Sequence, residues 1–312
     1  MQLDRTRSPN RDVTNTVDVT STGQVYREVR LLLQRHYPDI PVFQLKRAFH
    51  DFELLYRGEY PGFYACDTTY HDTQHVLDVT LAMVRLIDGY LRQHGEACAL
   101  GSELALLGTL VALFHDVGYI RRRGDTRHSH GAEYTRVHVS RSARFLQEYL
   151  PRIGMADMAP LAADLVHFTG YERLPQDIAL PDADALIIGH LVGTADVLAQ
   201  MADVAYLEKC RDCLYPEFEI GGIARQKDAH GAELVVYESA IDLLEKTPNF
   251  VDSVLQQRLV GSFGSVYRYA EDHFGGANLY MDALHANQSR LREALAYRAA
   301  GCPAAEGQLL AG

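Results

Sequence analysis

Cysteine is scarce in this chain: Cys66, Cys98, Cys210, Cys213 and Cys302 are five among 312 residues, too few and too scattered for a disulfide scaffold. They read as reduced thiols. Cys210 and Cys213 form a CxxC, but no second pair follows to complete a zinc site and no βαβ pattern surrounds them, so a structural or incidental role is expected. Basic charge is in deficit as well. With 30 Lys and Arg against 41 Asp and Glu, the net charge is -11, the reverse of the basic footprint that a nucleic-acid binder presents to phosphates. This argues against bulk nucleic acid as a partner and leaves a single nucleotide open. Membrane-length apolar runs are also lacking: the longest stretch before a charge, about Leu104 to Phe114, falls well short of the roughly 20 residues of a span. The N-terminal stretch, Met1 to Val19, is polar and mixed in charge. A cytoplasmic protein with no membrane partner is expected.

Strand-like alternation, internal repeats and low-complexity blocks are missing too, whereas a 3.6-residue apolar period recurs throughout. The expected fold class is therefore all-α. A 47% apolar content can fill a sizeable core. The expected organisation is a flexible N-terminus over residues 1–20, one all-α domain over 21–300 and a flexible tail of small residues over 301–312. Helices are expected from about Gln24 to His36 and from about Val42 to Tyr56, each ended by Pro or Gly. From Asp72 onward, Val76, Val79, Met83, Leu86, Ile87 and Tyr90 form one apolar stripe, which puts His75 on or beside a buried face. The segment Leu104 to Phe114 is apolar all round, as in a central helix, and delivers His115 and Asp116 to its end before Gly118 stops it. Further helices are expected from about Gly131 to Leu150 around His138, in a short apolar segment closed by His167, and from about Ala183 to Leu207 around Asp196.

Those six residues, His75, His115, Asp116, His138, His167 and Asp196, carry the chemistry. Polar groups set in apolar helices are costly unless something partners them. Imidazole suits Mn, Fe, Ni, Co and Zn, and a carboxylate can bridge two ions, so four His and two Asp from separate helices make a coherent binuclear set within a bundle. The reading assigns His75, His115, Asp116 and Asp196 to one divalent ion and Asp116, His138 and His167 to another, with Mg an option at the second position. Asp116 is the bridging and catalytic carboxylate. Two ions about 3.5–4 Å apart would hold a bridging hydroxide and suit hydrolysis of a phosphate ester.

The order H…HD…H…H…D resembles that of the HD-domain metal-dependent phosphohydrolase superfamily. Tyr70 to Val79, YHDTQHVLDV, is similar to the YHNxxHxxDV signature of the cyclic nucleotide phosphodiesterases, with Asp72 in the Asn position. His138 to Leu146 is similar to the HxxxGxxxL ligand helix of the bacterial HD-GYP group; His167 stands where that group has a histidine pair, and the GYP element is missing. The likeness spans about residues 67–207. It implies an HD-domain helical bundle with additional N- and C-terminal helices, the latter over about 217–299. It also implies His71 as the general acid toward the leaving oxygen, His75 as a metal ligand, and a nucleotide or cyclic nucleotide phosphate ester as substrate. The same six-ligand order occurs in HD-domain mixed-valent di-iron oxygenases, and a degenerate module of this kind would bind a nucleotide without turnover. His71 favours hydrolysis, because oxygen chemistry needs no such acid.

Arg121, in an Arg-rich loop, and Arg141, one helical turn after His138, are candidates for holding a substrate phosphate. His128 and His130 read as solvated loop residues, His190 as structural, and Asp78 as a candidate to orient a ligand histidine. Beyond about Glu217 the sequence shows no recognisable chemistry. Its helical stripes read as packing, as one wall of a pocket or as a homodimer face, and Gly221 to Gly231 as a loop able to serve as a lid.

Overall fold

Apolar residues at helical spacing build most of the chain into helices. The computed structural model describes residues 7–95, 100–227 and 230–300; Cys98, Cys302 and the expected tail over 301–312 lie outside the described residues. In chain order the helices are α1 (Thr22–His36), α2 (Val42–Arg57), α3 (Thr73–His94), α4 (Ser102–Phe114), α5 (His138–Tyr149), α6 (Ala159–Leu165), α7 (Ala183–Ala202), α8 (Tyr206–Lys209), α9 (Tyr215–Ile220), α10 (Ala240–Ser253), α11 (Tyr269–Phe274) and α12 (Leu279–Ala299). Among the described residues the one sheet is a short hairpin between α9 and α10, β1 (Arg225–Lys227) with β2 (Glu233–Val235), in which Arg225 faces Val235. The protein is predominantly helical, as its patterning requires.

Helices α3, α4 and α7 pack together at the centre. Every residue of α4 from Ala105 to Phe114 is buried, which is why its composition is apolar all round. Helix α7 is long and apolar enough to cross a membrane by length and composition, but most of it is buried inside the protein, as a core helix is. Helix α3 starts where Asp72 accepts the backbone N–H of His75 at 2.9 Å, an N-cap that fixes the first turn and with it the entry of His75. Its other end passes so close to α11 that a side chain at Gly89 would place Cβ 1.7 Å from the carbonyl oxygen of Tyr269.

Residues 7–20 depart from the frayed end expected of them. Asp12 is fully buried and accepts the backbone N–H groups of Thr14, Thr16 and Val17, so this polar segment satisfies its own backbone. The same carboxylate pairs at 2.5 Å with Arg85 of α3, whose other amino group donates to the Tyr280 hydroxyl at 3.0 Å. Residues 1–6 lie outside the described residues.

A second buried charge on α3 ties three helices. Asp88, 1% exposed, meets Arg35 and His36 of α1 at 3.1 and 2.8 Å, Arg92 one turn along α3 at 2.7 Å, and His273 of α11 at 2.7 Å. Burial alone would raise its carboxyl, but the bonds from His273 and His36 and the neighbouring charges bring it down to about 2. A depressed folded-state value means stability that is present above the unfolded value near 4 and is lost as pH falls toward 2. Asp88→Asn is therefore expected to lower the unfolding free energy by about 2 kcal/mol at neutral pH. In denaturant titrations the gap to wild type should close between pH 4 and pH 2; a gap independent of pH would refute the ionic account.

Candidate metal centre

The end of α4 explains why His115 and Asp116 can act together. Neighbouring residues on a continuous helix point about 100° apart, so a helix could not aim both at one point. Here α4 ends at Phe114, and Asp116 has already left helical geometry with φ -103° and ψ 6°. Residues Val117–Tyr119 then form a single tight turn closed against α5, in which Gly118 donates to the Ser142 hydroxyl at 2.9 Å. At Gly118 a Cβ would fall 1.8 Å from the carbonyl oxygen of His138. Gly118→Ala is expected to cost about 1–3 kcal/mol by forcing α5 away and to loosen His138 from Asp116; thermal melts and metal retention check this, and a fully stable variant with unchanged metal content would contradict it.

Around that turn four of the expected residues converge. His75 Nε2 lies 3.4 Å from Asp116 Oδ2 and 3.4 Å from Asp196 Oδ1; His115 Nε2 lies 3.1 Å and 3.7 Å from the same two oxygens. All four residues are at least nine-tenths buried. Ligand atoms of His75, His115 and Asp116 fall within 4.8 Å of one another, a group able to hold a metal ion.

Protonation sharpens this. His115 Nδ1 sits 2.8 Å from the carbonyl oxygen of Ala112; a carbonyl only accepts, so Nδ1 carries the hydrogen and Nε2 of the neutral ring presents a lone pair. That lone pair points toward a carboxylate, and both His115 Nε2 and Asp116 Oδ2 are buried without a hydrogen-bond partner. Two electron-rich atoms 3.1 Å apart in a dry site need a cation between them or beside them. Burial disfavours charge on His75, yet Asp116 and Asp196 lift its ring to about 10. His115 moves up for the same reason, against its own burial, while Asp116 and Asp196 move down despite burial because the imidazoles face them. The residues present thus fit a divalent ion that replaces those protons.

His138 is the first residue of α5, rather than lying mid-helix as expected, because Gly131–Tyr134 forms a separate turn before it. Its Nδ1 is 2.8 Å from the carbonyl oxygen of Thr135, which leaves Nε2 facing Asp116 Oδ1 at 3.7 Å. Burial lowers its pKa, which keeps the ring neutral and able to ligate. His167 does not join the cluster. It lies in a tight turn, Val166–Phe168, with Nδ1 buried and unpartnered, and its pKa is lowered by burial and then by Arg173, with Glu172 and Asp164 as its acidic neighbours.

The phosphate candidates from the sequence are engaged elsewhere. Arg141 donates to the carbonyls of Gly118 at 2.6 Å and Ile120 at 3.0 Å and lies over the Tyr134 ring, so it staples the turn after Asp116 to α5. Arg121 pairs with Asp67 at 3.0 Å and covers Tyr64. His128 bonds Asp125, His130 caps the turn after it, and His190 packs on Phe168 and Phe263, all as structural residues. Asp78 makes no hydrogen bond to His75; burial and the nearby Asp203 push its carboxyl up to about 7.

His71 stands beside the cluster with its ring centre 6.0 Å from that of His75 and 6.2 Å from that of His138, and Tyr119 stacks on both His71 and His138 at 4.3 and 4.4 Å. Its Nδ1 donates to Glu217 Oε2 at 2.6 Å. Glu217, 2% exposed on α9, also accepts the backbone N–H groups of Thr69 and Tyr70 at 2.6 Å each. Burial raises this carboxyl, but the His71 bond and those donors hold it below its ordinary value. Sequence reasoning missed Glu217, where it had stopped finding chemistry. The histidine and the metal cluster open into one cavity of about 430 Å³, walled by aromatic residues that include Tyr119, Tyr171, Tyr206, Phe218 and Tyr237.

No protein-family model matches the chain, and no curated protein matches it. Fold and site together define a predominantly helical protein with a buried His/Asp group able to hold a metal ion in the wall of an aromatic-lined cavity.

Proposed function

We propose that this chain is an HD-type metal-dependent phosphohydrolase, most closely a phosphodiesterase acting on a nucleotide or cyclic nucleotide ester. The observation that carries the reading is the pairing of unpartnered metal-donor atoms on His115 and Asp116, the latter in the wall of one cavity, with a histidine in the same wall whose far nitrogen is anchored on a buried carboxylate. His75, His115, Asp116 and Asp196 would hold one divalent ion, and Asp116 Oδ1 with His138 Nε2 are the donors available to a second. Mn, Fe, Ni, Co and Zn all suit such ligands. Bound there, divalent metal would supply Lewis acidity toward a phosphoryl oxygen and a water acidic enough to attack it.

The chain's own residues do the rest. Glu217 fixes Nδ1–H of His71 and so leaves Nε2 to carry and deliver the proton that the leaving oxygen needs. Tyr119 locks the planes of His71 and His138. The aromatic walls offer stacking to a base and exclude water from the ester.

The test is hydrolysis of bis-p-nitrophenyl phosphate by protein reconstituted with Mn²⁺ or Fe²⁺, with bound metal counted in the same samples. Metal-dependent turnover supports the reading. Protein that binds metal and does not hydrolyse the ester would sink it and favour the di-iron oxygenase, whose readout is oxygen consumption; protein that binds none would leave a nucleotide-binding module.

A further inference from the structure

Among the described residues two arginines are buried, and only one of them has a carboxylate. Arg85 has Asp12, whereas Arg258, 8% exposed, has no ion-pair partner among the described residues. Arg258 belongs to the wide-turned helical segment Val254–Ser262 that follows α10, a geometry that recurs at functional sites. Its Nη2 donates to the carbonyl oxygens of Phe168 at 2.5 Å and Gly170 at 3.0 Å. The guanidinium is flanked by the rings of Tyr171 at 4.3 Å and Phe263 at 5.2 Å. Nε is buried without a partner, and Nη1 bonds to none of the described residues. The residue lines the same cavity as the metal cluster.

A buried charge without a counter-charge is strongly disfavoured, and carbonyls and ring faces offset only part of that cost. The two other cations on the cavity wall do not share the problem: Lys246 is paired with Asp242 at 2.8 Å, and Arg136 is exposed and donates to the carbonyl oxygen of Gly222. Glu172, an acidic residue on the same cavity wall, spends its carboxylate on the backbone N–H groups of Val139 and Ser140 at the start of α5.

We infer that Arg258 is the seat for a second phosphoryl group of the ligand, so the molecule this cavity takes is a phosphate ester carrying another phosphate, with an aromatic portion beside them for the cavity walls to stack on. The metal cluster faces the scissile phosphate and Arg258 the distal one. This assignment rests on the phosphohydrolase reading for the scissile end alone.

Equilibrium binding of adenosine 3′,5′-bisphosphate and adenosine 5′-monophosphate to the metal-loaded protein tests it. Wild type is expected to prefer the bisphosphate by about tenfold or more, as a charge-assisted bond in a dry site allows. Arg258→Met should bring the two affinities together while leaving monophosphate binding and metal content unchanged, and Arg258→Lys should fall between. Because Arg258 also holds the Phe168 and Gly170 carbonyls, the methionine variant could unfold; the wild-type preference and its reduction in the lysine variant then decide. Equal binding of the two nucleotides by wild type, or an equal loss of both in the variants, overturns the assignment. Hydrolysis scored on the same samples separates the two ideas. Turnover without a bisphosphate preference removes the role of Arg258 and keeps the hydrolase, whereas a preference without turnover does the reverse.

Discussion

Asp116→Asn is expected to lower turnover of bis-p-nitrophenyl phosphate by more than about 10³-fold, because a ligand worth several kcal/mol is lost and each 1.4 kcal/mol is tenfold. The substitution keeps the shape of the side chain and removes the one charge shared by three imidazoles. Asp116 Oδ2 faces His115 at 3.1 Å and His75 at 3.4 Å, and Oδ1 faces His138 at 3.7 Å, so this one carboxylate spans both sides of the site. Bound metal should fall with activity. The expected order separates ligands by their reach: Asp196→Asn should weaken retention at the first position only, whereas Asp116→Asn should affect every ion the protein holds. Elemental analysis beside initial rates reads both quantities. A variant with full metal content and full activity would remove Asp116 from the centre altogether.

His71→Ala should leave metal content intact and slow hydrolysis by about 10²–10⁴-fold for an ester with a poor leaving group, the span that a positioned general acid supplies. For bis-p-nitrophenyl phosphate the loss should be far smaller, since p-nitrophenolate departs without a proton. Glu217→Gln should reproduce the same leaving-group dependence in weaker form, because the amide can still accept from Thr69 and Tyr70 but no longer balances a charged imidazole. Equal losses on good and poor leaving groups would mean that His71 positions substrate instead of donating a proton. Metal loss in His71→Ala would make it a ligand.

The part of this site that is legible in the sequence is the part made by local geometry. A helix apolar on all sides that ends in His115 and Asp116 announces both a central element and the reason for its polar end, and the structure buries that helix from Ala105 onward. His75 follows from its stripe, and Asp196 from its place in an apolar helix. What was not legible depends on directions and distances that no local pattern encodes. Glu217 reaches His71 across 146 residues of chain, from a six-residue helix with no periodic signature. Arg141 is one turn from His138, which suggested a shared target, but its guanidinium runs back to the carbonyls of Gly118 and Ile120. His167 sits in the tight turn after α6, and its charged neighbours are Arg173, Glu172 and Asp164 instead of Asp116. Residues 7–20 looked frayed because they are polar, and are ordered because Asp12 gathers their backbone N–H groups. Arg258 did have a signal: a single arginine among Leu255, Leu259 and Phe263 is out of place in an apolar stripe unless something requires it.

The two buried charges of α3 set an order for the making of the protein. Arg85 waits for a hydroxyl 195 residues downstream, at Tyr280, and Asp88 for an imidazole 185 residues downstream, at His273. A ribosome therefore releases the central helix, with its ion pairs to Asp12, Arg35 and Arg92, long before the Tyr280 hydroxyl and the His273 imidazole that complete them, and a nascent chain halted near residue 210 would hold every expected metal ligand while the polar contacts of α3 are still incomplete. Consolidation of the centre therefore waits until α11 emerges to pack on α3 and α12 on α7.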